Sequence, residues 1–194
     1  MPSFGKRLNM RHLIVSDIFG NTKALQELSH SLIGENEFFD PYNSETMNFS
    51  SEKQAYDYFS NEIGLEAYAS KLLRRIVDID EPTSLVGFSV GASAIWKISS
   101  SNQLNHVTEA ICFYGSKIRH YIDIIPNFPI QLVFPKSEES FCVDNLISKL
   151  RSTKNVIIDH SSYLHGFMNS HSQNFNNKPY EYYIQNLNKQ SRII

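Results

Sequence analysis

Cysteine is scarce: the 194-residue chain holds two, Cys112 and Cys142, and nothing about their placement forms a metal or redox motif. Both stand in apolar company and are expected to be buried thiols rather than a disulfide. No apolar stretch approaches the roughly 18 residues that a membrane span needs. The segment from Met1 to Met10 carries Lys6 and Arg7 with no apolar core behind them, so a secretory signal is not expected. Lys and Arg number 18 against 20 Asp and Glu, a formal net charge of -2. No basic run reaches the density of a nucleic-acid footprint. Internal repeats and an interdomain linker are also absent. From these absences a cytoplasmic protein is expected, with neither nucleic acid nor a membrane as its partner.

What is there suits a packed domain. Hydrophobic residues make up 41% and charged residues 20%, and the length allows one substantial core, so residues 1–194 read as a single domain. Short apolar runs alternate with helical periods. His12–Val15, Glu37–Phe39, Ser84–Phe88, Ala110–Tyr114, Ile130–Phe134 and Asn155–Ile158 read as strands. Leu25, Leu28, Leu32 and Ile33 share a helical face. The long stretch from Pro41 to Asp80 is periodic enough to be packed helix, and Gly64 is expected to divide it in two. Further helices follow Phe88, cover Val143 to Leu150, and close the chain around Tyr180 to Leu187. Gly115 to Pro129 shows no clear helix, and Asn169 to Lys178 reads as a surface loop. Strands separated by helices imply a mostly parallel sheet of about six strands, covered on both faces.

Gly87-Phe88-Ser89-Val90-Gly91 spells G-x-S-x-G. In an α/β-hydrolase this is the sharp strand-to-helix turn that exposes a nucleophilic serine, and only small residues fit two before and two after it. Five letters are a weak signal alone. Here an apolar strand ends at Phe88 and a helix begins at Val90, the context the motif requires. The Val90 amide then faces a developing oxyanion. The loop after the first strand, Ser16-Asp17-Ile18-Phe19-Gly20, supplies the second donor from Ile18 or Phe19. A lone Asp17 without His or Asp neighbours makes a poor metal site, so no metal or cofactor is expected.

A serine needs a base and a carboxylate. In this fold they follow in the order serine, acid, histidine. His165, several residues past the last strand, can swing back over Ser89, and His160, nearer the strand end, is the runner-up. The acid belongs on the loop after Phe134, where Glu138 and Glu139 are both candidates.

These residues together resemble the dienelactone hydrolase family. The match rests on Asp17-Ile18-Phe19-Gly20, Gly87-Phe88-Ser89-Val90-Gly91, Phe113-Tyr114-Gly115 and His165-Gly166-Phe167, in the family's order and at similar spacing over residues 12 to 190. The resemblance implies a three-layer α/β-hydrolase fold without a lid. It implies a triad of Ser89, Glu139 and His165 and a carboxylate near the nucleophile at Asp17; from the residues themselves, Glu138 and His160 stay as accessory candidates. The chain departs from the family in offering serine for its cysteine nucleophile and glutamate for its aspartate. It also starts too late for the family's first strands. Serine favours general ester chemistry on a small-molecule substrate. A non-catalytic protein using the same crevice to bind a ligand is the competing expectation. With few residues between Gly115 and Pro129 to build a cap, the crevice is expected to be small and open. Lys117, Arg119, His120 and Lys136 are expected on its rim.

Overall fold

The alternation of apolar residues along each strand divides the core in two. Leu13, Val15 and Leu85 point to one face of a sheet, and Ile14, Val86 and Phe88 to the other. The computed structural model describes residues 10–190, so Lys6 and Arg7 lie outside the described residues. Within them, β1 (Arg11–Val15), β2 (Glu35–Phe39), β3 (Thr83–Phe88), β4 (Val107–Phe113), β5 (Ile130–Phe134) and β6 (Val156–His160) form one sheet. Its order is β2-β1-β3-β4-β5-β6 and every pairing is parallel. The expected strands are all present, within a few residues of their read bounds.

Helices α1 (Lys23–Ser31) and α6 (Asn177–Gln190) cover the face that carries Ile14 and Val86. Helices α3 (Gly64–Val77), α4 (Val90–Ile98) and α5 (Val143–Leu150) cover the other, where Trp96, Tyr68 and Leu72 are fully buried. Burying each such side chain stabilises the fold by about 1.5–3 kcal/mol before entropy is counted. Helix α2 (Glu52–Tyr58) is started by Ser51, whose hydroxyl accepts from the Gln54 amide at 3.2 Å. It runs through one π-helical turn, Phe59–Ile63, into α3. Gly64 marks the division, with φ at +74°.

Two expectations need correction. Residues 41–51 are loop rather than helix. Their apolar members, such as Tyr42 and Phe49, pack on each other as aromatic neighbours without a helical repeat. Cys112 is buried in β4, but Cys142 is exposed. It stands at the N-cap of α5, one residue before the stripe that Val143 begins. Between β4 and β5 the chain makes only a short 3₁₀ turn, Ser116–His120.

The chain leaves β1 outward to β2, then crosses back over β1 to β3 and continues the other way. Loops after β1 and β3 therefore diverge, and the crevice between them at the strands' carboxyl ends is where such sheets hold ligands.

Candidate active site

Strand β3 is buried along its whole length and stops at Phe88. Ser89 follows with φ +52° and ψ −111°, a conformation that costs a non-glycine residue of order 1–3 kcal/mol. The turn is held by the Ser89 amide, which donates to the Phe113 carbonyl at 2.9 Å, and by α4 starting at the next residue. The flanking glycines are sterically required. A Cβ on Gly87 would lie 2.6 Å from Ile95 Cδ1, and one on Gly91 would lie 2.4 Å from the carbonyl oxygens of both Val15 and Ser16.

The half-buried Ser89 hydroxyl meets an imidazole. Ser89 Oγ lies 3.1 Å from His165 Nε2, and His165 Nδ1 lies 2.7 Å from Glu138 Oε1. In the tautomer that carries its proton on Nδ1, Nε2 is left to accept from the serine. The imidazole packs against the Tyr114 ring, centroid to centroid 4.7 Å. Asn174 Nδ2 donates to the His165 carbonyl at 2.9 Å. The acid and base loops are joined by the Lys136 amide, which donates to the Tyr163 carbonyl at 2.6 Å.

The carboxylate on His165 is thus Glu138, whose side chain is 14% exposed, while Glu139, the expected partner, is exposed on the cleft wall and makes no bond to the imidazole. His160 does not come to the site. It ends β6 and faces Asp144, at 3.6 Å.

Of the oxyanion donors weighed, Val90 is the first residue of α4, where amides lack helical acceptors, and it lines the cleft. The Phe19 amide is taken, donating to Asp17 Oδ1 at 2.9 Å. This leaves Ile18, whose amide has no acceptor among the described residues. Its surroundings are fixed. The Asp17 carbonyl accepts from Ser16 Oγ at 3.1 Å and from the Gly20 amide at 3.3 Å. Tyr42 Oη donates to the Ile18 carbonyl at 2.6 Å.

Asp17 also belongs to the site. Its Oδ2 accepts from Asn169 Nδ2 at 3.1 Å. Burial pushes its carboxyl above the usual range, against the stabilising pull of the Phe19 amide, Asn169 and the charge of His165. The sequence names Tyr114 only as a strand end and within the Phe113-Tyr114-Gly115 match, without a role, and does not single out Asn169, Asn174 or Tyr42. For the asparagines the available signal is their density directly after His165, which is also the composition of an ordinary solvated loop.

All of this opens into a cleft of about 1400 Å³. It is open as expected but not small, because the 46–52 loop and residues 171–174 extend its walls. Lys117 and Arg119 line it, while His120 and Lys136 do not. Lys117 Nζ donates to Tyr56 Oη at 3.2 Å, Arg119 donates to the Ser116 carbonyl, and neither pairs with a carboxylate among the described residues. Among those residues no group of three His, Cys, Asp or Glu is placed to hold a metal, and no helix is long and apolar enough to cross a membrane.

No protein-family profile matches the chain. It is 33% identical over 153 residues to the uncharacterized protein YczH of Bacillus subtilis (strain 168), covering 77% of this chain and 70% of YczH. Among solved structures it is similar to Est1E from Butyrivibrio proteoclasticus, with a TM-score of 0.59, 11% identity, and 98% and 90% of the two chains covered. It is also similar to P91, a dienelactone hydrolase-like promiscuous phosphotriesterase from metagenomic libraries. There the TM-score is 0.60, the identity 9%, and the coverage 94% and 85%. At such identities the likeness carries the fold: a three-layer α/β-hydrolase with six parallel strands and no lid evident among the described residues.

Proposed function

This chain belongs to the family of Bacillus subtilis YczH, and from that premise and its α/β-hydrolase fold we propose that it is a serine hydrolase of small carboxylic esters or lactones. The observation that carries the reading is the hydrogen-bonded line from Ser89 Oγ through His165 to Glu138. Ser89 attacks the ester carbonyl while His165 Nε2 takes its proton. The tetrahedral oxyanion is held by the Val90 and Ile18 amides. His165 then returns the proton to the leaving alcohol. Water, activated by the same imidazole, releases the acid from the acyl-enzyme. Glu138 keeps the Nδ1 proton in place and stabilises the transient imidazolium. The cycle consumes no cofactor.

Lys117 and Arg119, lining the cleft without carboxylate partners among the described residues, favour an anionic group elsewhere on the substrate. The test is labelling with a fluorophosphonate probe followed by peptide mapping. Wild-type protein labels on Ser89 and hydrolyses short aryl esters, and Ser89→Ala does neither. A wild type that stays unlabelled would instead be a ligand-binding protein that uses this cleft without catalysis.

A further inference from the structure

Two of the loops that build this site come from distant parts of the chain. The loop after β1 carries the Ile18 amide, and the loop after β6 carries His165. Neither contains regular structure that would fix one against the other. In the cleft they are tied by a side-chain bond, Asn169 Nδ2 donating to Asp17 Oδ2 at 3.1 Å.

Each end of that bond is committed locally. On the β1 side, Asp17 Oδ1 accepts the Phe19 amide at 2.9 Å. That bond bends the loop and removes the competing donor, so that of the two amides Ile18 presents the free N–H. On the β6 side, Asn169 Oδ1 accepts the His171 amide at 2.9 Å, and the Asn169 amide donates to the Gly166 carbonyl at 2.9 Å. Gly166 is the residue next to His165 and stands at φ +86°. A chain of bonds therefore runs from the oxyanion loop to the backbone beside the base.

We infer that Asp17 and Asn169 are positioning residues that act as a pair, setting the Ile18 oxyanion amide against the His165 base. Neither touches the reacting atoms. This rests on the serine hydrolase reading and gives the half-buried carboxylate that lines the cleft a function. The geometry makes a directional claim. The Asp17 side chain accepts twice. The Asn169 side chain donates once and accepts once. Exchanging the two residues reverses the bridging bond but preserves all three bonds. The carboxamide then at position 17 would accept from the Phe19 amide and donate across to position 169. The carboxylate then at position 169 would accept that bond and the His171 amide.

The experiment is therefore a reciprocal exchange. Asp17→Asn, Asn169→Asp and the double variant are compared with wild type by turnover of a short aryl ester. Active sites are counted by stoichiometric fluorophosphonate labelling, so that kcat refers to intact sites, and melting temperatures are recorded alongside. In Asp17→Asn two carboxamides face each other across the bridge. In Asn169→Asp two carboxylates do. Each single variant is expected to lose about 10- to 100-fold in kcat per labelled site, up to what a misplacement of about 1 Å costs, with KM little changed. The double variant is expected to recover most of that loss. A double variant as slow as the worse single variant overturns the pairing. So do single variants that merely label fewer sites and melt lower while keeping kcat per site, since that is a purely structural role. A wild type that neither labels nor turns over ester overturns the hydrolase reading itself, which the exchange result cannot do.

Discussion

Replacing Gly91 by alanine separates the geometry of the turn from every other influence on the site. The added Cβ would stand 2.4 Å from the carbonyl oxygens of Val15 and Ser16 and 2.8 Å from the Val15 carbonyl carbon. All three are backbone atoms at the end of β1, so no flexible side-chain tip can yield. Ordinary contact begins at 3.4 Å, so α4 and β1 must part by about 1 Å, an overpacking that costs about 1–3 kcal/mol. In a domain of this size each kcal/mol shifts the melting temperature by about 2–4 °C. The expected fall is thus several degrees. The parting also moves Ser89, at the head of α4, away from the Ile18 amide and from His165. A 1 Å misplacement costs on the order of 100-fold in rate. Thermal melts and aryl-ester turnover per mole of folded protein measure the two effects. Gly64→Ala is the control: its Cβ meets nothing within 4 Å, and only its backbone, φ +74° with ψ +157°, is unfavourable to a side chain. It should cost of order 1–3 kcal/mol and leave turnover unchanged. Wild-type stability and turnover in Gly91→Ala would refute the steric account of the turn.

Other outcomes follow from the same geometry. His165→Ala should abolish ester turnover as completely as Ser89→Ala, because the two act as one unit. His160→Ala, at the far side of β6, should stay near wild type, and the reverse ranking in a steady-state assay would move the base. Glu138→Gln should lower kcat by at least about 100-fold by favouring the wrong imidazole tautomer. Glu139→Gln should leave it within about twofold, and equal losses would contradict the orientation of the loop. Burial holds His12 below its ordinary pKa of 6.5. Above that pH both folded and unfolded chains are neutral there. As pH falls through it, the unfolded chain takes up a proton that the folded one resists, and stability is lost. Urea unfolding between pH 7 and 5 should show stability falling less steeply with pH in His12→Asn than in wild type, and identical slopes would remove His12 from the acid response.

The parts of this architecture that the sequence discloses are those with local causes. A strand such as Ile130–Phe134 is apolar because it is covered on both faces, and G-x-S-x-G is small where α4 must approach β1. The parts that stayed hidden depend on which way an irregular loop turns. Glu138 and Glu139 are chemically identical neighbours, and only the placement of His165 distinguishes them. Residues 41–51 carry aromatic residues that look periodic, yet they pack as a loop around Tyr42. Cys142 lies beside apolar residues in sequence but at a helix start in space. The size of the cleft follows from loop walls that no periodicity reports. Asn169 and Asn174 read as solvent-facing because asparagine usually is.

Those asparagines set a clock on the protein. The loop that carries His165 is stitched by side-chain amides rather than by helix or strand: Asn174 to the His165 carbonyl, Asn169 to Asp17. Side-chain amides are among the thermolabile groups of a protein. Hydrolysis of one turns a donor into an oxygen facing an oxygen, in the segment that sets His165 over Ser89. Old protein would then lose turnover as His165 drifts from the serine, and cooling or refolding would not restore it. For a domain built this way, shelf life is a matter of amide chemistry in one loop rather than of the free energy of unfolding.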